Sequence, residues 1–379
     1  MAMALVSSPA TIMRLLASAV LLALVLAACN RSPGSASRGS ADATPATTPS
    51  TAPLPSDRIG SRPRLGPRLF VSNEASGDVS VIELPANEVV ATIPVGKRPR
   101  GIQRSPDGMR VYVALSGTVA SGPSAKGPVP APDRSADGIG VLDTKSGKLI
   151  ERLPSGTDPE QFALDARGAK LFVSNEDAAS VSIIDTASKH VDATLSVGDE
   201  PEGVASSPDG RWVYVTCESA NSVRVLDIAA QAITAQIKVE ARPRSAAFLP
   251  DSSKAYVTSE LGGTVAVIAL PKHEVRKTIK LEGDGVRPMG IAVAADGKRV
   301  YVTTGHGGTV VVIDATTDEV VNTIRVGSRP WGVAIAPDGQ TLYTANGFSD
   351  DVSVIDLASA KVTHQIHVGS KPWGVVYAP

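Results

Sequence analysis

Beyond about residue 66 the chain is built from short runs in which apolar and polar residues alternate, each run closed by Gly, Pro, Asp or Asn. Alternation of that period puts one set of side chains on one face of a strand, and the breakers end the strand. The stretch from residue 202 shows the pattern fully. GVASS is followed by the turn Pro208-Asp209-Gly210, then RWVYVT, then SVRVLD after a short polar loop, then AITAQIKV. These are four predicted strands, named a to d below.

The same four-strand unit recurs. RLFVSNE, RVYVALS, KLFVSNE, WVYVTCE, KAYVTSE, RVYVTTG and TLYTANG share one register. Their aromatic residues, Phe70, Tyr112, Phe172, Tyr214, Tyr256, Tyr301 and Tyr343, are spaced by 42, 60, 42, 42, 45 and 42 residues. The base period is 42, with insertions of 18 and 3. Seven repeats of four short antiparallel strands predict an all-β fold, a seven-bladed β-propeller over residues 67–379. The ends predict how the ring shuts. No strand a precedes Phe70, while Trp373 to Ala378 forms a strand a with no strand b after it. Pairing the two closes the ring and removes two open sheet edges.

The preceding residues have a different composition. Arg14 followed by the apolar run Leu15 to Ala28 is too short for a comfortable membrane span and reads as a signal sequence, residues 1–28. It ends in Leu26-Ala27-Ala28-Cys29, which resembles a bacterial lipobox with Cys29 as the lipidated residue. A conventionally cleaved secreted protein is the alternative. Residues 29–66, rich in Ser, Pro, Ala, Thr and Gly, are expected to form a flexible tether, because so few apolar side chains cannot offset ordering entropy. The expected location is the bacterial cell envelope, lipid-anchored and facing the periplasm. Asn30 after the cysteine favours the outer membrane by the sorting rule of enteric bacteria.

Charge and composition exclude several classes. With 37 basic and 38 acidic residues the net charge is −1, which argues against a generally basic nucleic-acid binder but leaves local patches open. Two cysteines, Cys29 and Cys217, exclude a disulfide scaffold, a zinc ribbon and an iron–sulfur cluster, and no Cys-x-x-Cys-His occurs for covalent haem.

The repeats carry a family likeness. VYVT at 213–216 and 300–303, with SPDG and SVIDL-type strands, resembles the YVTN-repeat β-propeller family, and no Trp-Asp dipeptide of the WD40 kind occurs. FVSNE at 70–74, VATIPVGKRPRG at 90–101, TSELGGTV at 258–265, NGFSDDVSVID at 346–356 and VGSKPWGVV at 368–376 are similar to the PQQ-dependent catabolism-associated subgroup. That resemblance implies association with a pyrroloquinoline-quinone oxidation pathway rather than a particular reaction. The lipobox and the 18-residue insertion depart from the subgroup's simplest form.

Strand parity places the d–a and b–c loops together on one face of the ring, here called the top. The d–a loops are patterned: Arg98-Pro99-Arg100, Asp158-Pro159-Glu160, Glu200-Pro201-Glu202, Arg242-Pro243-Arg244, Arg287-Pro288-Met289, Arg329-Pro330-Trp331 and Lys371-Pro372-Trp373. Proline stiffens the approach to strand a, and the residue after it is expected at the mouth of the central channel. One reading is a binding mouth, with Arg for carboxylate or phosphate and Trp for stacking. The other is structural, with Arg100–Glu160 and Glu202–Arg244 as inter-blade ion pairs and the tryptophans as packing plugs. Glu74, Glu176, Glu218 and Glu260 in the b–c loops are expected to pair with these arginines rather than share a metal, since neighbouring loops diverge and calcium needs oxygens at about 2.3–2.6 Å. The insertion, residues 118–137, falls in a b–c loop as a lid, a docking arm or a tolerated unstructured loop.

Signals for catalysis are few. His306 in Gly305-His306-Gly307-Gly308 is the one histidine expected on the top face, and no Gly-x-Ser-x-Gly elbow occurs. Cys217, expected just after strand b and beside Glu218, reads as packing. No cofactor signature is visible, so any quinone would be held by a partner. The first expectation is a non-enzymatic binding or scaffold module, a monomer, whose top face meets a periplasmic or membrane protein such as a quinoprotein or transporter component. A lactonase- or lyase-type propeller enzyme and a single-stranded DNA binder are the alternatives. The DNA reading rests on the top-face arginines with two tryptophans, and the interposed acids argue against it.

Overall fold

The computed structural model describes residues 66–119 and 130–379. The signal sequence, Cys29, nearly all of the tether and the centre of the insertion lie outside the described residues. Within them, 28 strands form seven four-stranded antiparallel sheets, with two single-turn 3-10 helices, Arg134–Ala136 and Gly305–Gly307. No helix among the described residues is long and apolar enough to cross a membrane.

Six sheets follow the order a, b, c, d of the repeat. The first blade is composite, with Pro372–Ala378 pairing antiparallel with Arg68–Asn73, so that Phe70 faces Val376 and Val71 faces Val375. The ring therefore closes as the orphan strand predicts. Strand a is shortened to Ile102–Arg104 in the second blade and Ile291–Val293 in the sixth.

Strands b and c are buried on both faces because each sheet is sandwiched between two others. In the third blade, Phe172 packs towards the fourth, while its neighbours Leu171 and Val173 pack towards the second. One apolar cluster of this kind fills every blade interface. The seven repeat aromatics sit in these interfaces, and each is at most 7% exposed. Truncating one to alanine is worth about 3–5 kcal/mol. Strands d form the rim and bury little; in Glu88–Pro94 only Ile93 is buried.

Local polar chemistry ends the strands. The Asp107 carboxylate accepts from Ser105 Oγ at 2.5 Å and from the Met109 N–H at 2.9 Å, holding the Ser-Pro-Asp-Gly turn. At the close of strands c, Asp143, Asp185, Asp227, Asp314 and Asp356 each accept from a backbone N–H in the next turn. Cys217 is the last residue of a strand b, paired with Ser222 and Pro201, rather than a loop residue after it.

Candidate functional site

Two repeated devices aim the top-face side chains. The first is backbone strain. The residue before the d–a proline has positive φ in six of seven loops: Arg98 (42°), Asp158 (54°), Glu200 (52°), Arg242 (60°), Arg329 (54°) and Lys371 (53°). A pre-proline residue ordinarily prefers an extended conformation, and the left-handed region costs about 1–2 kcal/mol. The carbonyls of all but Arg98 accept a backbone N–H from a b–c loop. Lys371, Asp158, Glu200 and Arg242 accept at 2.8–2.9 Å from the N–H of Glu74, Glu176, Glu218 and Glu260 respectively. Each of those b–c glutamates is thus tied beside the d–a arginines or acids. Arg287, in the loop with three extra residues, is the exception.

The second device is a hydroxyl latch two residues after the repeat aromatic. Ser72, Ser174, Thr216, Thr258 and Thr303 donate to the carbonyls of Arg100, Glu202, Arg244, Met289 and Trp331 in the next blade, at 2.5–3.2 Å. The same oxygens accept from strand a of their own blade, as from the Gly203 N–H to Thr216 at 2.8 Å. The approach is so close that a Cβ on Gly203 would lie 2.1 Å from the Arg244 carbonyl oxygen. Ala114 and Ala345 break the series, and at Ala114 the Gly101 N–H reaches the Glu160 carbonyl at 3.1 Å.

These devices shape a top-face cleft of about 520 Å³ whose wall carries six acidic and six basic side chains. The formal charges cancel, but they are not evenly mixed. On one arc every arginine is neutralised. Glu74 receives Arg98 at 3.2 Å and Arg100 at 3.1 Å, and Arg100 also pairs with the fully buried Glu160. Arg244 meets Glu202 at 3.1 Å and also pairs with Glu218, while Arg242 meets Glu218 at 2.6 Å and Glu260 at 3.4 Å. Arg287 stands 3.9 Å from Glu260. Both inter-blade ion pairs of the structural reading are formed. Asp158, Glu160 and Glu176 bring carboxylate oxygens within 4.8 Å of one another, but the Arg100 guanidinium engages Glu160 and lies 4.0 Å from Glu176. The trio therefore works as an arginine-centred ion-pair network. Burial holds the Glu176 carboxyl above its ordinary range.

The other arc differs. Arg329 has no carboxylate within 4.0 Å among the described residues. Its guanidinium carbon lies 5.1 Å from the Trp331 ring and 4.7 Å from the Phe348 ring, and its Nη1 donates to His306 Nε2 at 2.6 Å. Burial, then the nearby Arg329 and Arg287, holds the His306 pKa below its usual value, so a neutral ring accepts that bond. Arg329 Nε is buried without an acceptor, as are the indole nitrogens of Trp331 and Trp373. The two indoles meet edge to face at 5.4 Å. Phe348, 58% exposed, was not among the residues singled out from sequence.

Of the residues expected at the mouth, Arg98, Arg100, Glu202, Arg242, Arg244, Arg329, Trp331 and Trp373 line the cleft. Glu160 is sealed behind Arg100 rather than presented to the cleft. Met289 is buried beneath it, where it borders a small void with Trp331 and Trp373. His306 adjoins the cleft through Arg329. Below the indoles lies a channel of about 270 Å³ walled by strands a and their glycines. In the insertion, Arg134 pairs with Asp177 of the next blade, and Asp133 meets Lys97 at 2.8 Å. Cys217 is fully buried and its thiol is pushed up to about 11, so no reactive thiolate forms.

Comparison with known proteins agrees with this architecture. None of the curated proteins compared matches the chain significantly. Among solved structures, the hydrazine synthase of Kuenenia stuttgartiensis superposes with a TM-score of 0.66 at 21% identity, over 80% of this chain and 99% of that one. The periplasmic gluconolactonase of Pseudomonas aeruginosa gives 0.66 at 22%, over 83% and 99%. A candidate 6-phosphogluconolactonase from Bacteroides fragilis gives 0.69 at 17%, over 84% and 100%. At these identities the likeness is one of fold. A family model goes further, because it matches residues 139–337 in sequence: the chain belongs to the YNCE-like β-propeller family.

Proposed function

We propose that this propeller is a non-enzymatic binding module that works through its top face, anchored by a lipid on Cys29 at the periplasmic side of the cell envelope, on the outer membrane. The observation that carries the reading is the cleft of about 520 Å³, in which one arc of charge is internally neutralised and the other presents an unpaired arginine among aromatic rings. A neutralised arc is rigid and gives register. An arc with unspent donors and exposed aromatic surface gives affinity. The partner is an envelope protein, a quinoprotein or transporter component in the setting that the sequence resemblance suggests, and the propeller itself carries no cofactor.

The test is in-cell cross-linking of the full-length, C-terminally tagged chain. The double variant Arg329→Glu, Phe348→Ala should lose one specific envelope partner, while Lys298→Ala on the opposite face retains it. An identical cross-link profile for all three proteins refutes the reading.

A hydrolytic reading of lactonase type is favoured by one observation, the Asp158–Glu160–Glu176 trio with a raised Glu176 carboxyl beside the cleft. Glu176 would be the general base. Hydrolysis of glucono-δ-lactone, followed by proton release and abolished in Glu176→Gln, would establish it; no turnover above the spontaneous rate would dismiss it.

A further inference from the structure

We propose that the arc formed by Arg329, His306, Trp331, Trp373 and Phe348 is a binding site for a small organic monocarboxylate carried on a flat apolar body, such as an aromatic acid. The inference rests on the reading of the top face as a binding face and names what its cleft accepts.

The first argument is the cation. A half-buried guanidinium normally has an anionic partner, because desolvating an unpaired charge is costly. Every other arginine lining the cleft has a carboxylate within 4.0 Å; Arg329 has none among the described residues. The one hydrogen bond of its side chain among these residues is to the neutral His306 ring, which leaves four of its five N–H groups for a planar acceptor. A fork of N–H donors matches a carboxylate in a bidentate manner.

The second argument concerns the remaining donors. Buried indole N–H groups ordinarily find an acceptor. Those of Trp331 and Trp373 have none, and both residues line the cleft beside Arg329. Three unsatisfied donor groups on neighbouring residues are better explained by an acceptor that arrives than by chance.

The third argument fixes the rest of the ligand. The wall around Arg329 is flat and aromatic, with Trp331, Trp373 and the exposed Phe348. Such a wall takes the body of an aromatic or similarly planar acid. Multiply charged anions such as phosphate esters fit poorly, since the cleft's cations without a carboxylate partner among the described residues are Arg329 and the exposed Lys371, and six acidic side chains share the wall. Cationic ligands would have to displace arginines already paired with those acids.

The test uses the full-length chain in detergent and follows tryptophan fluorescence, since Trp331 and Trp373 are two of only three tryptophans. Benzoate should quench saturably, and benzamide and inorganic phosphate should bind at least about tenfold more weakly. Arg329→Gln should weaken benzoate by at least about tenfold, Arg329→Lys by less because charge remains without the fork, and Lys298→Ala not at all. Far-ultraviolet dichroism of each variant reports folding, and Arg329→Lys carries the test if Arg329→Gln does not fold. Benzoate that fails to bind at millimolar concentration, phosphate that binds equally well, or affinity indifferent to both Arg329 substitutions overturns the proposal. If benzoate fails while the cross-linked partner still depends on Arg329 and Phe348, the carboxylate site falls and the binding-face reading stands. If benzoate binds and no partner is found, the reverse holds.

Discussion

Two arcs of one mouth are built from the same repeat, and they do different things with it. On the arc around Arg100 and Arg244, the b–c loop supplies a glutamate that the strained pre-proline carbonyl ties beside an arginine. On the arc around Arg329, Gly305 and Gly347 take the glutamates' register positions, and the loops supply His306 and Phe348 one residue later. The backbone is nearly the same in both: Arg242 and Arg329 share a positive φ, and Thr216 and Thr303 make the same latch. One side chain per loop decides whether an arginine is a structural tie or an available cation.

The comparison breaks most readily at the arginines themselves. Arg244→Ala leaves Glu202 buried and unpaired and Glu218 with Arg242 alone, and should cost about 3–5 kcal/mol in denaturant unfolding. Arg329→Ala abandons no carboxylate and should cost less than about 1 kcal/mol. Equal losses would mean that the two arcs do not differ as described. Next come the latches. Thr216→Val strands a buried carbonyl and N–H and Thr303→Val a part-buried pair, so both should cost about 1–3 kcal/mol and by similar amounts. A large difference in their unfolding midpoints would place the contrast in the backbone rather than the side chains. Gly203→Ala forces a Cβ against the Arg244 carbonyl and should cost about 1–3 kcal/mol, read from the same unfolding curves.

The smallest expected effect is in pH dependence, where the arcs have opposite signs. The folded His306 pKa lies below its unfolded value, so the unfolded chain takes the proton first. The stability this group contributes at neutral pH is lost as pH falls through about 6.5. Glu176 is raised in the folded state, chiefly by burial. Its contribution is full below the ordinary carboxylate pKa of about 4.3 and is lost as pH rises through that value and the raised folded one. Melting temperatures against pH should flatten on the neutral-to-acid limb in His306→Asn and on the carboxylate limb in Glu176→Gln. A curve unchanged in either variant removes that residue from the account.

Much of this was legible in the sequence. The register of Phe70, Tyr112, Phe172 and their successors required repeated strands, and the unpaired run at 373–378 required closure. Proline in the d–a loops pointed to the top face, and the opposite charges at Arg100 and Glu160 pointed to an ion pair. Other features left little trace. Positive φ before proline runs against the local preference, and in five of the six loops a second loop uses the carbonyl. In the sequence Phe348 is one loop residue among many, and only the fold sets Arg329 over its ring. The serine and threonine of VSN and VTC read as strand alternation, although their hydroxyls join one blade to the next.

The sequence alone determined the number of blades, the strand order, the way the ring shuts and the face on which charge gathers, because period and alternation are local properties that any folded form must satisfy. The tertiary structure decided which arginine meets which glutamate, that Glu160 and Met289 are withdrawn from the cleft, and that Arg329 stands without a carboxylate. Those outcomes depend on distances between loops some twenty or more residues apart, and Coulomb attraction and desolvation act on such distances rather than on position along the chain.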